Sequence, residues 1–251
     1  MSSSASDTSD IEATCRKISE GYSACDVSDA LLKLKIPQAG FLADITPIPN
    51  LSTRSRAPRH LVAPLSTILF VPKAHAAGAA TTNSSIPAES NIPKDKHWTD
   101  MPAPGTIVLL KQPSGQVCAV CGDILATRLK VRGLKGIVAD GRVRDLPALG
   151  ELCSSDEGGE FQVWSRATST VGTGLEAKAW AADVPLRVGD LDVRPGDILC
   201  ADEGERGCVV IPRHDLGTLM EILPGLKAAD ERCVADVKAG VDVTEAFRRH
   251  R

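Results

Sequence analysis

The residues best suited to chemistry fall in one stretch, Gly122 to Asp145, where Asp123, Arg144 and Asp145 are set around a glycine turn, a helix and a short strand. The amides of Gly122, Asp123, Ile124 and Leu125, free at a helix start, can bind a carboxylate with help from the helix dipole. Gly122 lets a ligand approach closely. Arg144 offers a planar fork to a second pair of oxygens. Asp145 is a hard oxygen ligand suited to Mg²⁺ or Mn²⁺, ions that need only one or two protein carboxylates and keep several waters. A small 2-oxo acid carries the groups that such a site takes. Position alone also permits plainer roles, since Asp123 sits where helix caps occur and an Arg-Asp pair in a turn is commonly solvated.

The elements that position these groups follow from local pattern. A helix should start near Asp123, carry Ile124, Leu125, Arg128, Leu129 and Arg132 at helical spacing, and stop at Gly133. Gly136 then opens a short apolar strand, Ile137 to Ala139, which ends in a charged Asp140-Gly-Arg-Val-Arg-Asp145 turn. Upstream, helices are expected at Ile11 to Tyr22 and Asp26 to Leu34, and strands near Phe41 to Ile45, Thr67 to Val71, Thr106 to Leu110 and Val117 to Cys121. Downstream, Phe161 to Ser165 and Ala181 to Val188 read as strands, Val188-Gly-Asp and Arg194-Pro-Gly-Asp197 as turns, and Ile198 to Ala201 with Cys208 to Ile211 as a closing hairpin. Residues 1–10 are expected to be a flexible terminus and 11–251 a single domain. Within it, 73–105, with four prolines, form a long loop or lid, and 214–251 a helical extension broken at Gly240.

The order of these blocks resembles the RraA-like family, which includes 4-hydroxy-4-methyl-2-oxoglutarate aldolases, some oxaloacetate decarboxylases and bacterial regulators of ribonuclease activity. The resemblance covers most of the chain and rests on Gly122-Asp-Ile-Leu-Ala-Thr127, Gly133-Leu-Lys-Gly-Ile-Val-Ala-Asp-Gly141 and Arg144-Asp145. Supporting blocks are Asp26 to Leu31, Ser165 to Ser169 and Val193 to Asp197. It implies a layered ββα, swivelling-domain-like α/β fold with peripheral N- and C-terminal helices, assembled as a homotrimer or hexamer with sites between subunits. It also implies that Asp145 ligates Mg²⁺ or Mn²⁺, that Asp123 holds metal-bound water, and that Arg144 contacts the substrate. Glu231, or its neighbour Asp230, would reach in from another subunit. The implied activity is retro-aldol cleavage or β-decarboxylation of a 2-oxo acid. The alternatives are a non-catalytic regulator that binds a protein, or a specialised lyase or isomerase acting on a larger substrate.

The chain departs from the family pattern in three places. Ala148, after Pro147, stands where an acidic residue is common, so Glu151 is its substitute if one exists. Residues Cys153 to Gly159 look inserted, and the Ala- and Ser-rich segment Ala74 to Ser90 replaces a pocket-shaping region.

Composition narrows the remaining classes. A net charge of −3 and a pI near 6.0 give no reason to expect nucleic acid. Arg128, Lys130, Arg132, Lys135, Arg142 and Arg144 have no aromatic among residues 122–150 to stack a base. No apolar run is long enough to span a bilayer and the first residues lack a signal-peptide core, so a cytoplasmic protein is expected. Cys118 and Cys121 form a CxxC, but no second pair completes a zinc site, so they read as buried small hydrophobes. Five histidines show no metal-ligand spacing, Lys130 and Lys135 read as exposed charges, and the 54–60 segment reads as a solvated basic loop.

Overall fold

The computed structural model describes residues 5–48, 58–78, 86–154 and 160–251. Two helices, α1 (Ala5–Gly21) and α2 (Ala24–Lys33), open the chain. Helix α1 starts at Ala5, within the stretch expected to be a flexible terminus. Ser23 caps α2 by accepting from the Asp26 amide while Asp26 accepts from the Ser23 amide, a reciprocal capping box.

The sheet is built on β2 (His60–Pro72), which is far longer than the expected Thr67 to Val71. It serves three partners. Residues 65–69 pair in parallel with β3 (Ile107–Lys111), 60–64 run antiparallel to β9 (Ile198–Asp202), and 68–72 run antiparallel to β6 (Ala177–Ala182). Beyond β3 lie β4 (Gly136–Val143), β5 (Gln162–Thr168) and β1 (Thr46–Pro47), and beyond β9 lies β10 (Gly207–Ile211). Phe41 bridges to Val209 and Leu42 donates to the Cys208 carbonyl, while Ile48 donates to that of Val163. The 41–48 segment therefore ties both edges together and nearly closes the sheet. A small hairpin, β7 (Leu186–Val188) and β8 (Leu191–Val193), stands apart. The expected strand Ala181 to Val188 is split between β6 and β7 at Asp183, whose φ of 51° breaks it.

Three apolar clusters divide the interior. One, including Leu109, Val138, Trp164 and Leu199, fills the space the sheet curls around. A second packs the sheet against α3 (Asp123–Val131) and α4 (Leu146–Ser154), and a third packs it under α1, α2 and α5 (Leu216–Lys238). Helix α6 (Val243–His250) follows the break at Gly240 and docks on α5. The continuously buried start of β4 reflects cover on both faces. No helix among the described residues is long and apolar enough to cross a membrane.

The long loop is held down near its C-terminal end. Trp98 is buried edge-on against Phe70, and Asp100 accepts both Nε and Nη2 of Arg128 at 3.0 and 2.6 Å. Arg132 donates to the carbonyls of Thr99 and Pro102. Trp98→Ala is expected to cost about 3–5 kcal/mol in urea unfolding through the cavity it leaves. A loss under about 1 kcal/mol would show that the loop does not brace α3. The expected basic loop lies largely outside the described residues, except that His60 is in β2.

Candidate functional site

Helix α3 begins one residue earlier than a capping role for Asp123 requires. Gly122 is the N-cap and Asp123 the first helical residue. The Asp123 carboxylate turns back to accept the Ile124 amide at 2.6 Å, so it occupies part of the amide cradle. The strand leading into the turn is longer than expected. Asp140, Gly141 and Arg142 lie within β4 and not in a turn, and the chain reverses only at Arg144 and Asp145.

Main-chain bonds lock that reversal against α3. Arg144 N donates to the Cys121 carbonyl at 3.0 Å, and Cys121 bridges to Val143. Asp145 has φ 62°, the left-handed region that a short polar side chain tolerates. Its carbonyl accepts from Leu149 and starts α4.

This geometry brings Gly122, Asp123, Arg144 and Asp145 together. Arg144 Nε lies 3.3 Å from Asp145 Oδ2, with the two side chains 41% and 37% exposed, so both are accessible to a small molecule. The Asp123 amide points at the same Oδ2 from 3.4 Å. A Cβ on Gly122 would collide with Asp145 Oδ2 and lie 3.2 Å from the Arg144 Cγ and Nε, so close packing demands glycine here. Gly172 plays the same part on the other side, since its Cβ would sit 2.9 Å from Arg144 Nη1.

The Gly172 loop is the part that sequence reading missed. Its local signal was Val171-Gly-Thr-Gly174. Thr173 Oγ1 donates to the Ala119 carbonyl at 2.6 Å, and Glu176 accepts the amides of Val117 and Cys118.

Other expected residues fall elsewhere. Glu231 is exposed on α5, with no hydrogen bond or ion pair to the Arg144 loop among the described residues, and Asp230 is tied to Arg251 at 2.6 Å. Glu151 is exposed on α4 and contacts neither Asp145 nor Arg144 by a hydrogen bond. Lys130, expected to be exposed, is buried and donates its ammonium to the Leu152 carbonyl at 2.8 Å, which joins α3 to α4. The segment 117–121 is not a continuous strand and touches its neighbours through isolated bridges at Ala119 and Cys121.

Both CxxC cysteines are buried as expected, and burial pushes the Cys121 thiol up to about 12 and raises that of Cys118. Thiolate is the reactive form. Native protein treated with iodoacetamide at pH 8 should therefore leave both unmodified by peptide mapping, and labelling of either without unfolding would contradict this placement.

Among the described residues no group of three or more His, Cys, Asp or Glu converges as a metal cage. The candidate donors are the Asp145 carboxylate, at the opening amides of α3, and the Asp123 carboxylate, which sits on the first turn of that helix. Hard carboxylate oxygens on partly exposed side chains fit Mg²⁺ or Mn²⁺, which retain waters, and fit zinc poorly.

Comparison with known proteins agrees with the block order. The family model described as "RraA-like: Aldolase/RraA" matches residues 24–210. The chain belongs to the RraA-like family. A relative named "Putative 4-hydroxy-4-methyl-2-oxoglutarate aldolase", from Halalkalibacterium halodurans, is 26% identical over 137 residues. That match spans 53% of this chain and 60% of the relative, less than two thirds of its length. Two solved structures share the RraA-like fold. An uncharacterised protein from Pseudomonas syringae pv. tomato superposes with a TM-score of 0.68 at 20% identity, over 94% of this chain and 96% of its own. Streptomyces coelicolor RraAS2, described as an unusual member of the RNase ES inhibitor RraA family, gives 0.66 at 23% identity over 87% and 95%.

Proposed function

We propose that this chain is a divalent-metal-dependent carbon–carbon lyase that cleaves 4-hydroxy-4-methyl-2-oxoglutarate-like 2-oxo acids by retro-aldol chemistry, decarboxylates oxaloacetate, or does both. The observation that carries this reading is the close packing of Asp145 and Arg144 on the missing Cβ of Gly122, at the amides that open α3. A cation held by Asp145, with Asp123 on its water shell, would polarise the 2-oxo group as a Lewis acid.

The chain's own groups supply the rest. The substrate carboxylate takes the amides of Asp123, Ile124 and Leu125, displacing the Asp123 carboxylate from Ile124. Arg144, held in place by Gly172 and Asp145, stabilises the negative charge that develops on the 2-oxo oxygen as the C–C bond breaks and its electron pair moves toward that oxygen. In the aldol case the substrate hydroxyl gives up its proton, which Asp123 would receive through water. The resulting enolate carbon then takes a proton, which yields two pyruvates from 4-hydroxy-4-methyl-2-oxoglutarate. In a homotrimer or hexamer, Glu231 from a neighbouring copy would relay these protons. It is better suited than Asp230, whose charge is occupied by Arg251.

A second reading has its own support. Ile124 is 76% exposed and Leu175 58%, both beside the site, and an apolar rim also suits a regulator that grips a protein partner. A lyase or isomerase that takes a larger substrate is a third, motivated by the segments around 74–90 and 153–159.

Pyruvate release from both substrates, with Mg²⁺ and after chelation, separates these readings. Metal-dependent release is expected. Metal binding without pyruvate would sink the lyase reading and favour the other two.

A further inference from the structure

A second charged site lies at the end of β3, β4 and β5, and its lining includes none of Gly122, Asp123, Arg144 and Asp145. Asp140, 6% exposed, accepts from the Lys111 ammonium on the neighbouring strand and from Arg166 Nε at 2.7 Å. Arg142 projects from β4 two residues later, with Nη1 on the Thr168 carbonyl at 2.9 Å and Nε on that of Gln116 at 3.3 Å. These groups line a cavity of about 240 Å³ together with Gln112, Gln116 and Gly141.

Charge and rigidity both point to an anion. Three cations face one carboxylate, so Asp140 orients Lys111 and Arg166 without neutralising the cavity. The other group on Arg166 is Asp44, 3.3 Å from Nη1 and 83% exposed, a pair that water screens strongly. Gln112 fixes the cavity wall by accepting the Arg142 amide at 2.8 Å and donating to the Cys118 carbonyl at 2.7 Å. Gly141 packs on Gln112 so closely that no side chain fits there. The volume is below the ~300 Å³ at which pockets for drug-sized ligands begin, which suits a small occupant. A buried carboxylate that holds two cations at a cavity wall, beside a third, is preorganised for recognition and contributes little to stability.

We propose that this cavity is a separate anion site that takes a small dianion, phosphate or dicarboxylate, on Arg142, Arg166 and Lys111. It is a place for an effector, independent of any chemistry at Asp145.

Calorimetric titration of the full chain with inorganic phosphate and, separately, with malonate tests this. Saturable binding that weakens with added salt is expected. Asp44→Asn, which removes the exposed negative charge from Arg166 Nη1 and leaves the Asp140 bonds in place, should tighten it severalfold at low salt. Arg142→Gln should weaken it at least tenfold, and Arg144→Gln should retain it. The tighter of the two probes identifies a phosphoryl or a carboxylate ligand. Absence of binding by either probe, affinities unmoved by both Asp44→Asn and Arg142→Gln, or loss in Arg144→Gln would each overturn the proposal.

Discussion

Asp145→Ala is expected to lower the rate of pyruvate formation by about 10³-fold or more, equivalent to about 4 kcal/mol of transition-state stabilisation. The reason is the thinness of the donor set. Asp145 is the one carboxylate in contact with both Arg144 and the opening amides of α3, and among the described residues no larger acidic group stands ready to replace it. The backbone complicates the alanine variant, because residue 145 has φ 62° and an alanine there costs about 1–2 kcal/mol. Asp145→Asn removes the charge and keeps a side chain that tolerates this conformation. It should be equally inactive with an unchanged unfolding midpoint. Rates within tenfold of wild type in either variant would remove Asp145 from the metal site.

Gly122→Ala should be nearly as damaging, although it adds only a single methyl group, at a buried position. The φ of Gly122 is −136°, so alanine suffers no backbone strain, and the whole effect falls on what the Cβ meets. It would meet Asp145 Oδ2 and the Arg144 stem together, and one of them must swing away. Displacing a catalytic group by about 1 Å typically costs about 10²-fold. A fall of that size in kcat/KM, with stability altered by less than about 1 kcal/mol, is expected from steady-state kinetics and urea unfolding. Wild-type kinetics in Gly122→Ala would mean that the close packing has no catalytic role.

What local pattern could reveal, it revealed. Helix α3 starts and stops where Gly122 and Gly133 place it, and the β7–β8 and β9–β10 hairpins lie where Gly189 and the acidic 203–206 loop mark turns. Family membership rested on residues spaced through the core, and Gly122, Arg144 and Asp145 pack together where α3 begins. The misses share a physical cause, which is that partners far along the chain reversed a local signal. Asp140 and Arg142 read as a turn because charged residues avoid strands. Lys111 and Arg166, from the strands on either side, make Asp140 tolerable inside one. Lys130 read as exposed, and the Leu152 carbonyl at the end of α4, far along the chain, takes its ammonium and makes burial affordable. The 13 residues of β2, Pro64 included, form one strand because three different strands pair along it. Glu231 differs in kind, since a contribution from another copy leaves no trace within one chain.

Electron paramagnetic resonance of Mn²⁺, titrated into wild type and Asp145→Asn with and without pyruvate, is the most direct test of whether metal and 2-oxo acid share this site. One Mn²⁺ per wild-type chain is expected, bound more tightly when pyruvate is present, as reciprocal linkage requires, and lost in the variant. Equal Mn²⁺ affinity in Asp145→Asn, or a wild-type affinity that pyruvate leaves unchanged, would contradict a shared metal and substrate site at Gly122, Arg144 and Asp145.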